Sequence, residues 1–168
     1  MKKDFIPVIL IVFVAITTLV IYGIMFRTES AVKNERNEAS SQDSQYSGVV
    51  IVDAASPFIE FKKKDYDDAL KSNKIIILDF YADWCPICRG EAPLLEKGFR
   101  DLNNPDVIGF RVNFKDTQTD EDEEELAKQF AITYQYTKVI LKDGKEVLKD
   151  GEVWDTETFL STVRSVIQ

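Results

Sequence analysis

Residues 5–26 read FIPVILIVFVAITTLVIYGIMF, a run of 22 residues without a charged side chain. As a helix rising ~1.5 Å per residue, this run would measure roughly 33 Å and cross the hydrocarbon core of a bilayer. A cleaved signal peptide would have a shorter apolar core, of about 7–15 residues, followed by a small-residue cleavage site. The sequence therefore predicts an uncleaved transmembrane anchor at 5–26, behind a short flank at 1–4.

The charges beside this run predict its orientation. Lys2 and Lys3 precede it, whereas basic and acidic residues are mixed after it. Because basic residues are retained on the cytoplasmic side, we expect a single-pass protein of the cell membrane with a cytoplasmic N-terminus. The rest of the chain is then extracytoplasmic, and the lipid bilayer is a partner through residues 5–26.

Composition divides the remainder into a tether and one domain. Residues 27–48 are polar and nearly free of large apolar side chains, which predicts a flexible linker. Residues 49–168 are long enough for a single domain of ordinary size. The formal charge of −8 makes nucleic acid an unexpected partner. The chain has two cysteines and no histidine, which excludes a histidine-dependent nucleophile.

The hydrophobic pattern of the domain alternates strands and helices. KIIILDFY at 74–81 is an apolar run of the kind that forms a buried central strand. Asp143-Gly144 is a hairpin signal between two later strands. The pattern predicts strands at 58–61, 74–81, 107–114, 137–142 and 146–149, and helices at 65–71, after Cys88 through Leu102, at 119–130 and after Asp155. This order indicates an α/β domain with a mixed central sheet covered by helices on both faces.

The two cysteines lie in DWCPIC at 83–88, between the buried strand and the start of a helix. At a helix N-terminus Cys85 would face free backbone N–H groups and the positive end of the helix dipole, which favour its thiolate. Pro86 suits the first helical turn, because its missing N–H costs nothing there. Cys88, one turn further, would be more buried and could resolve a mixed disulfide formed by Cys85. The pattern favours a redox dithiol; metal ligation and a structural disulfide are the alternatives.

Two neighbours of the cysteines are candidates for supporting roles. Asp79 lies within the apolar strand, where burial should raise the pKa of its carboxyl and let it exchange a proton with Cys88. The alternative is a carboxylate satisfied by local hydrogen bonds. Trp84 directly precedes Cys85 and is predicted to shape the surface beside it, the alternative being a packing residue.

The segment LDFYADWC at 78–85 resembles the sequence before the active site of the thioredoxin family. It is nearer still to the extracytoplasmic C-terminal domain of transmembrane thiol-disulfide reductases. Pro93 matches the proline that kinks the active-site helix of the family, and Asp79 matches its buried acid. The resemblance covers residues 57–168 and implies a thioredoxin-like three-layer α/β/α fold. It also implies thiol-disulfide oxidoreductase activity toward protein thiols and disulfides, with Cys85, Cys88 and Asp79 as catalytic residues.

The resemblance places a partner-binding surface beside the dithiol, formed by Trp84, Pro86, Ile87, Gln135 and Tyr136. Tyr136 departs from the family, in which a cis-proline occupies this position. Without proline a cis bond costs about 3–4 kcal/mol, so we expect a trans peptide and a reshaped loop. In the family, loss of this proline is associated with exposure of the dithiol to metals or iron-sulfur clusters. A metal-binding module without turnover is therefore the alternative function, although a four-thiolate site would need two chains.

The expected direction of electron flow follows from the resemblance. Similarity to the reductase domain favours disulfide reduction, supplied by a membrane electron donor, over net oxidation. The same dithiol can run either way according to its potential. Because electrons pass by exchange between sulfurs, no cofactor and no metal are expected.

Overall fold

The computed structural model describes residues 45–168. The predicted anchor at 5–26 and the predicted linker up to residue 44 lie outside the described residues and remain predictions. Within the described part, no helix combines the length and the apolar character that a membrane span requires.

Six strands and four helices make up the described part of the chain. The strands are β1 (Val50–Val52), β2 (Phe58–Glu60), β3 (Ile75–Tyr81), β4 (Val107–Asn113), β5 (Thr137–Lys142) and β6 (Lys145–Asp150). The helices are α1 (Lys63–Lys71), α2 (Pro86–Leu102), α3 (Glu121–Gln129) and α4 (Thr156–Ile167). All the strands and helices predicted for residues 58–168 are confirmed within a few residues. The short strand β1 was not predicted, because three residues with a single buried side chain carry little pattern.

The strands form one mixed sheet in the order β1-β2-β4-β3-β5-β6. β2, β4 and β3 run parallel, and the other neighbouring pairs are antiparallel. The central strand β3 has six buried residues out of seven. Helices cover both faces of this strand, which is why its sequence is a continuous apolar run rather than an alternating one.

The core consists of two clusters on opposite faces of the sheet. Ile76, Leu78 and Phe80 of β3 pack with α1 and α3 on one face. Ile75 and Ile77 pack with α2 and α4 on the other. Successive residues of a strand point to opposite faces, so β3 contributes to both clusters. The predicted three-layer α/β/α arrangement is confirmed.

Helix α2 carries the cysteines at its N-terminal end and spans 17 residues. Pro86 occupies its start, where a missing N–H is tolerated. Asn103 ends the helix in a left-handed conformation with φ of 49°, a common C-terminal cap. Gly98 allows α4 to approach closely, since a Cβ at this position would lie 2.4 Å from the ring of Phe159.

The compact unit begins at Tyr46, three residues before the predicted domain start at 49. Both carboxylate oxygens of Asp65, in α1, accept the backbone N–H of Ser47, at 3.0 and 2.8 Å. One of them also accepts the N–H of Gly48 at 2.7 Å. The side chain of Tyr46 packs against the core cluster that includes α1. The end of the predicted linker therefore belongs to the folded domain.

Candidate active site

The carboxyl end of β3 leads directly to the dithiol. Tyr81 ends the strand, and the next residue, Ala82, is buried. The N–H of Cys85 donates to the carbonyl of Ala82 at 3.1 Å and closes a turn between β3 and α2. Because β3 is held between β4 and β5, the position of this turn is fixed by the sheet. The predicted placement of the cysteines between a buried strand and a helix start is confirmed.

Cys85 is the N-cap residue of α2. Its sulfur accepts the backbone N–H of Cys88 at 3.3 Å, in the way that side-chain oxygens accept at other helix starts. A negative charge on this sulfur would also face the positive end of the helix dipole. The geometry matches the one predicted for an attacking thiol with its partner one turn further along the helix.

Both thiols are buried, with relative exposures of 4% for Cys85 and 3% for Cys88. Neither is bridged. The sequence predicted that Cys88 would be the more buried of the two; the structure has the two nearly equal, because Cys85 is buried as well. The half-buried side chains of Tyr81 and Tyr136 pack against the cluster formed by Ala82, Cys85 and Cys88. A partner's sulfur therefore has to reach a Cys85 thiol that is buried in the free protein.

Two buried groups at the site favour their protonated forms. Burial, followed by the hydrogen bond with the Cys85 side chain, raises the pKa of Cys88 to about 12. Burial, followed by the nearby Glu91 carboxylate, raises the pKa of Asp79 to about 7, and nearby cations act in the opposite direction. The carboxyl of Asp79 therefore changes protonation near neutral pH, as its place within the apolar strand predicted.

The peptide before Tyr136 is trans, as expected. No cis peptide bond occurs among residues 45–168. Tyr136 has a φ of +52°, a left-handed conformation that is uncommon for a bulky side chain. Its N–H donates to the carbonyl of Phe80 at 2.7 Å, a bond that proline cannot make. The side chain of Gln135 donates to the carbonyl of Phe114 at 3.3 Å, so this amide is held by the fold.

Exposed apolar side chains lie beside the dithiol. Trp84 is 55% exposed, and its ring is oriented by a hydrogen bond from Nε1 to the carbonyl of Lys115 at 3.0 Å. Ile87 and Pro86 are exposed in the first turn of α2, and Tyr134 is exposed in the loop before β5. We call these four exposed residues the apolar rim: Trp84, Pro86, Ile87 and Tyr134.

Two charged residues at this site were not predicted from the sequence. Lys138, in β5, is fully buried, and its Nζ lies 2.6 Å from Oε1 of the buried Glu91 in α2. Lys138 also stands opposite Asp79 in the register of β3 and β5. A lysine inside the apolar run of β5 and a glutamate three residues after Cys88 were visible signals. The sequence does not predict that the two residues pair, because they lie 47 positions apart.

The fold, and the dithiol at the start of α2, are those of a thioredoxin-like protein. The family model named Thioredoxin matches residues 57–165, and the chain therefore belongs to the thioredoxin family.

Individual relatives agree with this assignment. A thioredoxin-like protein of Fusarium culmorum is 36% identical over 84 residues, which is 49% of this chain and 64% of that protein. Thioredoxin H4 of Arabidopsis thaliana is 37% identical over 86 residues, again 49% of this chain and 64% of the relative. The match thus spans just under two thirds of each relative. The crystal structure of Trxlp from Edwardsiella tarda aligns with a TM-score of 0.51 at 26% identity, over 65% of this chain and 96% of that chain.

Proposed function

We propose that this chain is a protein-disulfide reductase, anchored in the cell membrane, that works outside the cytoplasm through Cys85 and Cys88. The observation that carries the proposal is the position of Cys85 at the start of α2, where its sulfur accepts the N–H of Cys88. The Cys88 N–H and the positive end of the helix dipole both face this sulfur, which is the atom that attacks in disulfide exchange. Membership in the thioredoxin family supports the same chemistry.

The reaction consists of two exchanges between sulfurs. In the first, the Cys85 thiolate attacks one sulfur of the partner's disulfide, whose S–S bond breaks. A mixed disulfide forms, and the other partner sulfur leaves as a thiolate. In the second, Cys88 loses its proton and attacks the Cys85 sulfur, which releases the second partner thiolate. The partner gains two electrons, and the chain is left with a Cys85–Cys88 disulfide.

Asp79 is the proposed acceptor of the Cys88 proton. The pKa of Cys88, raised to about 12, leaves very little thiolate at neutral pH without help. The carboxyl of Asp79 has a pKa raised to about 7, which suits a general base working near neutrality. The charge of Asp79 also contributes to the raised pKa of Cys88, so the two groups interact.

Protein partners are proposed to bind the apolar rim together with the loop of Gln135 and Tyr136. Trp84, Pro86 and Ile87 flank Cys85 in sequence and are exposed. Tyr136 packs against the dithiol, so its ring has to shift or be contacted when a partner's sulfur approaches. An exposed apolar surface of this kind is typical of a protein-binding site.

Reduction of insulin by the full-length protein, with dithiothreitol as the electron source, tests the enzyme proposal. Cys85→Ser should abolish turnover. Cys88→Ser should also abolish it. When this variant is reduced first, freed of dithiothreitol and then mixed with insulin, it should accumulate a mixed disulfide between Cys85 and insulin, which non-reducing electrophoresis detects. Turnover at the parental rate in Cys85→Ser would sink the proposal.

The membrane placement rests on the charge-free run at 5–26 and needs its own test. In a bacterial host, the full chain should stay with the membrane after carbonate extraction. A membrane-impermeant maleimide, applied to intact spheroplasts after reduction and denaturation of the exposed domain, should label the cysteines. Release by carbonate, or labelling only after lysis, would contradict the anchor or its orientation.

The direction of electron flow can be measured as a reduction potential. Equilibration with glutathione should give a value near that of thioredoxin, about −270 mV, and not near the −120 mV of a strong oxidant. Such a potential would fit reduction by a membrane electron donor.

Metal binding is an alternative outcome of these tests. Within residues 45–168, no group of three His, Cys, Asp or Glu side chains is arranged to hold a metal ion. A zinc-loaded or coloured dimer that loses its metal in Cys85→Ser would favour a binding module in place of the reductase.

A further inference from the structure

Lys138 and Glu91 form an ion pair that is sealed from solvent. The exposed fractions of the two side chains are 0% and 1%, and Nζ lies 2.6 Å from Oε1. Removing two charges from water is costly, and apolar residues of similar volume often serve a core equally well. Stability alone therefore gives a poor account of this pair.

The ammonium group of Lys138 has three donors, and the structure provides a partner for each. Besides Glu91, Nζ donates to the carbonyl of Tyr136 at 2.8 Å and to the carbonyl of Glu152 at 2.5 Å. The same Oε1 of Glu91 also accepts the backbone N–H of Trp154 at 2.6 Å. The pair thus joins three segments: helix α2, the loop before β5, and the loop between β6 and α4.

All three segments border the dithiol or the apolar rim. Helix α2 starts at the residue after Cys85, and Tyr136 packs against the dithiol. The loop between β6 and α4 contacts Tyr134 of the rim through Gly151. The two are so close that a Cβ added at Gly151 would lie 2.2 Å from the Tyr134 hydroxyl. Val153 in that loop is another exposed apolar side chain.

Tyr136 shows why such a connection is needed. Its positive φ is unfavourable for a tyrosine and persists only where the surroundings hold the backbone on more than one side. Here the N–H is held by the carbonyl of Phe80, and the C=O is held by Nζ of Lys138. Loss of Lys138 would leave the backbone of Tyr136 held only through its N–H.

We propose that Lys138 and Glu91 are positioning residues that fix the Tyr136 and Glu152 backbones relative to Cys85 and thereby determine which folded protein disulfides can dock. The inference rests on the proposed function, since it concerns the partner surface of the same dithiol. A small disulfide needs to reach only the sulfur of Cys85, whereas a protein disulfide also has to dock on the surrounding surface. Loss of the ion pair should therefore slow the reduction of protein disulfides and leave exchange with small disulfides unchanged.

The test uses the full-length protein with both residues replaced, Lys138→Met together with Glu91→Leu. This variant removes both charges of the pair together, so it should fold where either single variant could fail. It also removes one cation and one anion near Asp79, whose effects on the Asp79 pKa are opposite in sign. We expect kcat/KM for insulin to fall about tenfold through a higher KM, while exchange with 5,5′-dithiobis(2-nitrobenzoate) stays within about twofold of the parent.

A matched control lies at the opposite end of the same strand. Lys142 donates to the carbonyl of Val166 at 2.6 Å, away from the dithiol. Lys142→Met removes a comparable bond and should leave the KM for insulin unchanged.

Amide hydrogen exchange gives a readout that a general loss of stability would not reproduce. In the double variant the N–H of Tyr136 should exchange about tenfold faster than in the parent, while the amides of β3 keep their protection. An unchanged KM for insulin together with an unchanged Tyr136 amide would overturn the inference, as would an equal loss of both exchange activities. If the parent itself reduces neither substrate, the proposed function fails, and the amide measurement still decides whether the pair positions Tyr136.

Discussion

A carboxyl group lies in the middle of the central strand, at Asp79, where helices cover both faces of the sheet. Burial, followed by the charge of Glu91, raises its pKa from 3.8 to about 7. Between these two values the native state binds more protons than the unfolded state, so this group makes the free energy of unfolding fall as the pH rises. The site therefore retains an ionisable group that costs stability at neutral pH.

Asp79→Asn should accordingly stabilise the domain. At about 1.4 kcal/mol per pKa unit, the gain in unfolding free energy should grow by about 3 kcal/mol from about pH 5 to about pH 8. Urea denaturation at the two pH values measures it. Asp155→Asn is the control: a hydrogen bond from the Thr158 N–H lowers the pKa of Asp155, so this variant should lose stability equally at both. A pH-independent gain in Asp79→Asn would contradict the raised pKa.

Tyr136 packs against the cluster of Ala82, Cys85 and Cys88, so its ring is a candidate barrier to reagents that approach the buried Cys85 thiol. Tyr136→Gly removes this ring and suits the positive φ, which glycine adopts freely. Iodoacetamide should then modify Cys85 several-fold faster than in the parent, as followed by mass spectrometry. Cys88, with its pKa raised to about 12, should remain unmodified in both proteins and serves as an internal control. An unchanged rate at Cys85 would show that the ring is not the barrier.

At the scale of elements, local signals and packing make separate contributions. The hairpin between β5 and β6 was predicted from Asp143-Gly144, and both residues have positive φ, 54° and 69°. Such values fit a tight hairpin turn of the type these two residues favour. By contrast, the requirement for glycine at position 98 of α2 cannot be read from the helix itself. It arises from the ring of Phe159 in α4.

Two glycines of α2 therefore make a matched pair. A Cβ at Gly98 would meet the buried Phe159 ring, whereas one at Gly90 has nothing within 4 Å. We expect Gly98→Ala to lower the free energy of unfolding by about 1–3 kcal/mol through overpacking. Gly90→Ala should raise it by about 0.5–1 kcal/mol, because alanine favours a helix interior. Guanidinium denaturation of both variants measures the difference; equal effects would mean that α4 moves away at no cost.

At the scale of the whole molecule, the domain extends further toward the N-terminus than composition indicated. Asp65 is buried and accepts the N–H groups of Ser47 and Gly48, and Tyr46 packs on the core. The polar residues before position 49 predicted a linker. Their backbone N–H groups are bound by the carboxylate of Asp65 in α1, and this contact cannot be predicted from the sequence.

Truncation tests this boundary. A fragment 46–168 should be more stable than a fragment 49–168 by at least about 2 kcal/mol, because a buried carboxyl left without its donors costs about 1–3 kcal/mol and the Tyr46 contacts are lost as well. Thermal unfolding measures both fragments. In an Asp65→Ala background the same truncation should cost less, since the shared hydrogen bonds are already absent. Equal stability of the two fragments would return the boundary to 49.

The sequence by itself determined the order of the strands and helices from β2 onward, the mixed α/β class and the place of Cys85 at a helix start. These features depend on patterns within a few residues: an apolar run, a proline in a first turn, an Asp-Gly turn. Asp79 belongs with them, because a lone carboxyl in a buried strand titrates abnormally wherever the strand lies.

Only the tertiary structure decided that Lys138 meets Glu91, that the backbone of Tyr136 is held at a positive φ and that Tyr46 packs on the core. Each of these depends on which segments the folded sheet and its helices bring together. Residues far apart in sequence carry no local mark of that proximity. For the same reason the burial of Cys85 was not foreseen: its neighbours along the chain place it at a helix end, and its neighbours in space cover it.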